Sequence, residues 1–420
     1  SMAFSRVSRR TFLQTTAAGA LATSLGASSP PKRIALIGTT VFRMSHAQHF
    51  IDRLLVGYGW NGAWHRPKVQ LCSLYIDQFS RRDLARDTAK RHDVPIYPSI
   101  AESLTLGGSK LAVDGVIIIG EHGDYPVNEK GQTLYPRYKF FKEVVDVFKS
   151  SDRSVPVFND KHLSTNWDEC VEMVDEAKKL GFAFLAGSSL PVTWRLPALE
   201  IPLNTPLSES VAVGYGGVDS YDFHGLETAQ CMSERRQGGE VGIKSVHAFR
   251  DDALWKHLEG FEATQRLLIS ALSRSNHLPV KNGYPTDPVT IEWVRRVFPK
   301  AYGYFIEHLD GFRTTLFMVP IRDFNYAGLN AKTGEIHSCQ MYLPMPDSAA
   351  TTANFFNPLL YQIERMVLEN KAPYPVERTL LTSGMTLAAV DSIHQGNKKV
   401  ETPQMKVRYQ APAESFFART

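Results

Sequence analysis

The sequence predicts an α/β fold: a doubly wound parallel sheet, followed by an α+β half with a mainly antiparallel sheet. Two observations predict the first half. Short continuous apolar runs recur from Lys32 onward, and amphipathic stretches with helix caps separate them. A third observation predicts the second half, because after Pro202 the apolar runs alternate and are joined by turn residues.

The runs Ile34–Ile37, Val69–Ile76, Val116–Ile119, Val155–Phe158 and Phe182–Leu185 are the predicted parallel strands. Unbroken apolar runs suit strands covered on both faces. The stretch from Trp167 to Leu180 places Trp167, Cys170, Val171, Val174 and Ala177 on one face, which predicts a helix. Thr165 with Asp168 forms a capping box there, and Gly181 ends the helix. In the second half, Ile243–Phe249, Arg313–Val319, Phe324–Leu329 and Glu335–Leu343 are the predicted strands, the last two joined by an Ala331-Lys332-Thr333-Gly334 turn. Helices are expected on one side of that sheet, over Ala253–Ser273 and over Asn357–Asn370, with Asn357 as cap and Pro358 at the first helical position. The predicted division is a leader at 1–31, a nucleotide-binding-type domain at 32–200 and a second domain at 201–420.

The 420 residues carry 47 Lys and Arg against 43 Asp and Glu, a net charge of +4. That balance supports neither nucleic-acid nor membrane-surface binding, which need basic side chains gathered on one face. The cysteines, Cys72, Cys170, Cys231 and Cys339, are too scattered for a CxxC zinc unit or a disulfide scaffold. Three of the four surplus charges, Arg6, Arg9 and Arg10, lie in the leader. Ser8-Arg9-Arg10-Thr11-Phe12-Leu13 precedes an Ala/Thr/Gly-rich segment and a Ser-Ser-Pro-Pro exit, which reads as a twin-arginine signal. Export of the folded chain to the periplasm or beyond is therefore expected, with the twin-arginine translocase as a partner.

A strand ending in Gly38 and a second ending in Asp77 match the plan of a Rossmann-like dinucleotide fold, in which an acid after the second strand takes the ribose hydroxyls. The turn Gly38-Thr39-Thr40-Val41-Phe42-Arg43-Met44 has one glycine where the phosphate motif has three. Phosphate would then fall to the Thr39 and Thr40 hydroxyls or to Arg43, while Asp77 reads equally as a surface residue ending its strand. Glu121-His122-Gly123-Asp124-Tyr125-Pro126 follows the third strand, at the carboxyl edge where such sheets bind ligands.

Val155-Pro156-Val157-Phe158-Asn159-Asp160-Lys161-His162, with the helix and strand after it, resembles the segment that carries the Glu-Lys-Pro motif of the Gfo/Idh/MocA oxidoreductases. Asp114–Ile119, Trp194-Arg195-Leu196-Pro197 and the tail from Pro375 to Pro403 are similar to further segments of that family, in the same order. The resemblance implies a two-domain sugar or polyol oxidoreductase that uses NAD or NADP, forms homo-oligomers and acts on a secondary hydroxyl. It implies Lys161 as the motif lysine and His224, in His224-Gly225-Leu226-Glu227, as general base with Asp222 beside it. It also implies Gly38, Thr39, Thr40, Asp77, Glu121 and His122 around the cofactor.

The chemistry agrees with the residue types. Removing hydride from a secondary alcohol needs a base of near-neutral pKa and a cation for the developing alkoxide, and His and Lys supply these. Taken singly, His224 reads as a packed histidine before a helix and Lys161 as a solvated lysine. Two other functions stay open. One is a nicotinamide-free lyase, isomerase or hydrolase assisted by a divalent metal, whose ligands would come from Glu121, His122, Asp124, Asp160, His162, Asp222, His224 and Glu227. The same side chains would otherwise bond sugar hydroxyls or pair with Arg137, Lys139 and Arg195. The other is a non-catalytic sugar-binding protein. Tyr135–Phe141 is read as the start of a helix packed on the sheet, and Ser233–Arg236 as a solvated helix end.

Overall fold

The computed structural model describes residues 29–279, 289–345 and 351–419. The twin-arginine stretch lies outside the described residues. Lys32–Thr420 form one compact unit that carries two large sheets. Among the described residues no helix is long and apolar enough to cross a membrane.

In chain order, the first half contains β1 (Lys32–Gly38), α1 (His46–Val56), the hairpin β2 (Tyr58–Trp60) and β3 (Ala63–His65), β4 (Val69–Ile76), α2 (Ala85–His92), α3 (Ile100–Thr105), β5 (Gly115–Ile119), α4 (Arg137–Ser151), β6 (Val157–Asp160), α5 (Trp167–Leu180) and β7 (Phe184–Gly187). The five long strands pair in parallel in the order β4-β1-β5-β6-β7. Their alternate side chains go to opposite faces. Ile34, Leu36, Ile117, Ile119 and Phe158 pack with α1, whereas Ala35, Ile37, Val116 and Ile118 pack with Phe140, Phe141, Met173 and Val174 of α4 and α5.

The second half contains β8 (Arg195–Leu196), β9 (Leu207–Gly214), α6 (Tyr221–Ser233), β10 (Ile243–Arg250), α7 (Asp251–Leu258), α8 (Glu262–Leu272), α9 (Ile291–Val297), β11 (Tyr302–His308), β12 (Arg313–Met318), β13 (Phe324–Asn330), β14 (Ile336–Met341), α10 (Asn357–Glu369), α11 (Glu377–His394) and β15 (Val400–Glu401). Its eight strands run in the order β15-β10-β11-β12-β9-β13-β14-β8, antiparallel except where β12 meets β9.

Several expectations need correction. Helices cover both faces of the second sheet: Val211, Val213 and Phe317 pack under α7, α8 and α9, while Ala212, Val246 and Leu316 pack under α6 and α11. The single helix expected over Ala253–Ser273 is two, broken between Leu258 and Glu262 around Gly260. The cap of α5 is Asn166, whose side chain accepts from Glu169 N. Asn357 does not cap α10: its side chain accepts from Arg53 Nε at 2.7 Å and donates to Gly59 O at 3.0 Å. Ser233–Arg236 is buried, because Glu234 pairs with Arg378 and Arg236 pairs with Glu240 at 3.0 Å. All four cysteines are free thiols.

The chain also doubles back. Val367 of α10 packs on the parallel sheet so closely that a Cβ at Gly115 would lie 2.8 Å from it, and Ile34 would be equally near. Residues near 360 thus complete the core begun at residue 34.

Candidate functional site

The carboxyl edge of the parallel sheet faces α6 and the ends of β9, β12 and β14 across a cavity of about 780 Å3. Each sheet strand ends in residues that turn toward it or away from it, and these turns decide the chemistry.

After β1, α1 starts under a well-built cap: Ser45 Oγ accepts from Phe42 N at 3.1 Å and Gln48 N at 3.3 Å, and Met44 N donates to Gln48 Oε1. This places His46 and His49 on the cavity wall. His46 Nδ1 lies 2.7 Å from Asp160 Oδ2, at the end of β6. Burial alone would lower the His46 pKa, but the Asp160 carboxylate outweighs it and raises the imidazole above its ordinary value. His49 is pushed down to about 3 by burial and by Arg53, and it stacks on Phe356 at 4.9 Å.

After β5, Glu121 and His122 line the cavity. His122 adopts φ +67°, a left-handed conformation that side chains rarely take. Its ring lies edge-on to those of Phe42 and His46, each 5.2 Å away. Its Nδ1 is buried with no partner among the described residues, and burial lowers its pKa to about 4. After β6, Lys161 is also left-handed, at φ +57°, held by its N–H to Gly187 O at 3.0 Å. Lys161 Nζ reaches Glu121 Oε1 at 3.2 Å. Burial would raise the Glu121 pKa, but Lys161, His46 and Arg137 together hold this carboxyl well below the usual range. Two non-glycine residues in this conformation at adjacent strand ends are the kind of strain that concentrates at functional sites.

From the other side, α6 contributes His224 and Tyr221. His224 is buried within the first turn of α6 rather than before it, and its Nδ1 has no partner among the described residues. Burial, then the nearby Lys161 and His46 charges, lowers its pKa well below 6.5 and keeps it neutral. Tyr135, Tyr215 and Phe355 supply aromatic surface, and Ser188 and Ser189 supply hydroxyls at the end of β7. Arg322 stands exposed at the rim.

Of the residues singled out from sequence, Glu121, His122, Asp160 and His224 thus line the cavity. Lys161 lies one layer behind it, touching Glu121 and, at 5.9 Å, the Tyr221 ring. Asp222 points elsewhere. Its carboxylate accepts from Tyr304 Oη at 2.7 Å and from the N–H groups of Asp219, Ser220 and Phe223, so it shapes the start of α6. Glu227 is buried behind Gly187, and its pKa is pushed up to about 8 by burial. His162 turns to Asp219 at 3.1 Å, and Asp124 is exposed. Of the eight acids and imidazoles considered as metal ligands, Glu121, His122, Asp160 and His224 line the cavity, whereas Asp124, His162, Asp222 and Glu227 do not. Among the described residues no three His, Cys, Asp or Glu side chains are arranged to hold a metal ion. Asp160 was considered from sequence, but not its pairing with His46, since 114 residues separate them. Ser188, Ser189 and Tyr215 were missed, although their positions just after β7 and β9 are a usable signal.

The residues expected around a dinucleotide are arranged otherwise. Gly38 is buried against Ile76 and Ala47. Thr39 N donates to Ile119 O at 3.1 Å and Thr39 Oγ1 donates to Glu121 O at 2.7 Å. Thr40 is buried. The Asp77 carboxylate accepts from Tyr75 Oη and Tyr125 Oη, each at 2.7 Å. Gln78 clasps the backbone of Asp124, donating to its carbonyl and accepting from its N–H, both at 2.9 Å. Neither Asp77 nor Gln78 lines the cavity. These residues do not fit an NAD or NADP cradle of the kind the resemblance implies.

No family model matches this sequence, and no curated protein matches it. Solved structures do. The chain is similar to GenD2 from gentamicin A biosynthesis in complex with NAD (12% identity, TM-score 0.54, covering 89% of this chain and 96% of that one). It is similar to a probable dehydrogenase from Thermotoga maritima (13% identity, TM-score 0.51, covering 88% and 98%). It is also similar to apo scyllo-inositol dehydrogenase from Lactobacillus casei (10% identity, TM-score 0.51, covering 88% and 98%). The fold is thus that of these dehydrogenases across nearly the whole described chain.

Proposed function

We propose that this chain is a carbohydrate-acting enzyme of dehydrogenase-like fold, whose cavity carries out acid–base chemistry at a hydroxylated carbon of a sugar or polyol. The observation that carries the reading is the convergence on one cavity of a neutral, unpaired His224 and a His46 whose hold on a proton is strengthened by its bond to Asp160. A neutral imidazole accepts a proton and a protonated one returns it, so both halves of a proton transfer are present. Glu121, ionised against Lys161, and Ser188 and Ser189 offer polar partners for hydroxyls. Tyr135, Tyr215 and Tyr221 offer aromatic faces to the apolar sides of a sugar ring.

The oxidoreductase form of this reading, with a nicotinamide as hydride acceptor, takes its support from the sugar- and polyol-related dehydrogenases of the same fold. The redox-neutral form, a lyase or isomerase, takes its support from the way Asp77, Thr39 and Gln78 are bonded within the chain. Turnover of a panel of sugars, polyols and glycosides, followed by mass spectrometry with and without NAD(P), tests the shared core. His224→Ala and His46→Ala are expected to lose turnover while still folding. Retention of wild-type rates in both variants would remove the acid–base reading, and binding without turnover by the wild type would favour a sugar-binding protein.

A further inference from the structure

We infer that the nucleotide crevice over β1 and β4 is closed by the chain's own loop at residues 121–126, and that the enzyme works on a carbonyl-bearing sugar without NAD(P). Three observations meet here. The first is the filling of Asp77. Both of its carboxylate oxygens accept phenol hydroxyls, one from its own strand and one from Tyr125 in the loop, where an acid reading ribose would present them outward.

The second is the loop itself, which is built to lie over the end of β4. Gly123 has φ +115°, and a Cβ there would come 2.6 Å from the Tyr125 ring and 3.0 Å from Gln78 Oε1, so the loop closes only with glycine. Gln78 then holds it through two backbone bonds. The third is the phosphate turn. Thr39, Phe42, Met44 and Ser45 donate their N–H groups within the chain, and the Thr39 hydroxyl is donated to Glu121 O. With four of its N–H groups already used within the chain, this turn leaves a phosphate fewer donors at the helix N-terminus.

The consequence rests on the acid–base function proposed above. Without a hydride acceptor, a neutral His224 can move only protons. A carbon-bound proton becomes acidic enough for an imidazole only beside a carbonyl, so the substrate must bring that carbonyl with it. In the step that follows, His224 takes the proton from the carbon next to the carbonyl, and the C–H electron pair forms a C=C bond. The C–O bond on the neighbouring carbon breaks with its electron pair, and the departing oxygen takes a proton from His46. No electrons leave the substrate, so the step is redox-neutral.

Calorimetric titration of the purified full chain with NAD+, NADH, NADP+ and NADPH, together with assay of nucleotide released on denaturation, tests the closed crevice. Neither saturable binding nor released nucleotide is expected. Binding tighter than about 1 mM, or stoichiometric release, overturns the inference. Tyr125→Phe and Gln78→Ala provide a second measure, since both should lower Tm if the loop is a structural plug, and an unchanged Tm in both overturns it. Deuterium uptake from D2O into keto-sugars, without added nucleotide, tests the chemistry. Uptake at the carbon beside the carbonyl that is lost in His224→Ala is expected, and no uptake across the panel overturns the redox-neutral step. If instead nucleotide binds and turnover still depends on His224, this inference fails while the acid–base function stands. Turnover indifferent to His224 sinks that function without touching the nucleotide result.

Discussion

The two ends of the parallel sheet's carboxyl edge treat their polar groups in opposite ways. Over β1 and β4, Asp77 is matched by two phenols, Gln78 by the Asp124 backbone and the Ser45 hydroxyl by two N–H groups. Over β5 and β6, facing α6, His122 and His224 each bury an imidazole nitrogen with no partner among the described residues, and His122 and Lys161 hold strained backbone. A buried polar atom without a partner costs roughly 1–3 kcal/mol, and a left-handed non-glycine residue costs about as much again. The first end uses its polar groups in folding, while the second leaves two imidazole nitrogens without partners among the described residues.

Breaking the second end should have the largest effect. Lys161→Met leaves the Glu121 carboxylate buried without its partner, and removing one member of a buried pair costs about 3–5 kcal/mol. A loss of that size in urea unfolding is expected, together with a rise in the Glu121 pKa toward neutrality that is visible by NMR. Glu121→Gln with Lys161→Met should recover part of the stability, because it removes the orphaned charge. His224→Gln comes next. It keeps a polar side chain in the wall, so stability should change by less than about 1 kcal/mol, but it removes the proposed base. Turnover is expected to fall by about 10²–10⁴-fold, the usual range for a general base, and equal rates in wild type and variant would return His224 to a packing role.

At the first end the balance should reverse. Asp77→Asn keeps the shape but replaces a charged acceptor with a neutral one, weakening two hydrogen bonds whose charged form is worth about 1.5–3 kcal/mol each. A drop in Tm is expected with turnover per folded molecule unchanged. If Asp77→Asn instead left Tm alone and reduced turnover, the two ends would not differ in kind.

Much of the fold was legible in local sequence, and the reasons it failed elsewhere are physical. β4 spans Val69–Ile76 as predicted, because its apolar run has clear ends. β6 and β7 sit two residues later than expected, and Pro156, which has no N–H to donate, lies just before β6 rather than inside it. A helix was expected after His224 and ending at Ser233–Arg236, but the start of α6 at Tyr221 and its burial on every side, between the second sheet and α11, were not, because it shows no amphipathic period. Ser233–Arg236 looked solvated because the partner that buries Glu234, Arg378, is 144 residues away. The site was legible by residue type, since Glu121, His122 and His224 all reach the cavity. Its pairings were not, because Lys161 with Glu121 and His46 with Asp160 meet only when separate strands end side by side. Asp222 and Asp77 carried the right chemistry in the right segments, yet each is used by a neighbouring backbone turn or phenol that spacing alone does not reveal.

The finest contrast lies within the second end, between His46 and His122. Their rings are 5.2 Å apart and both are largely buried, yet the His46 pKa is raised and the His122 pKa is lowered to about 4. Only His46 has a carboxylate in hydrogen-bonding reach. Because its folded pKa is raised, the His46–Asp160 pair contributes stability that is fully present below pH 6.5 and is lost as pH rises through the raised value. Asp160→Asn removes the carboxylate and leaves burial to dominate, so the His46 pKa should fall below 6.5, each unit being worth about 1.4 kcal/mol. NMR titration of the ring protons reads this directly, and the wild type should lose its stability advantage over the variant as pH rises from 6 to 8. Turnover should follow the same sign. If His46 returns the proton, the basic limb of the rate profile moves to lower pH in Asp160→Asn, whereas a limb that stays in place assigns the proton to another group.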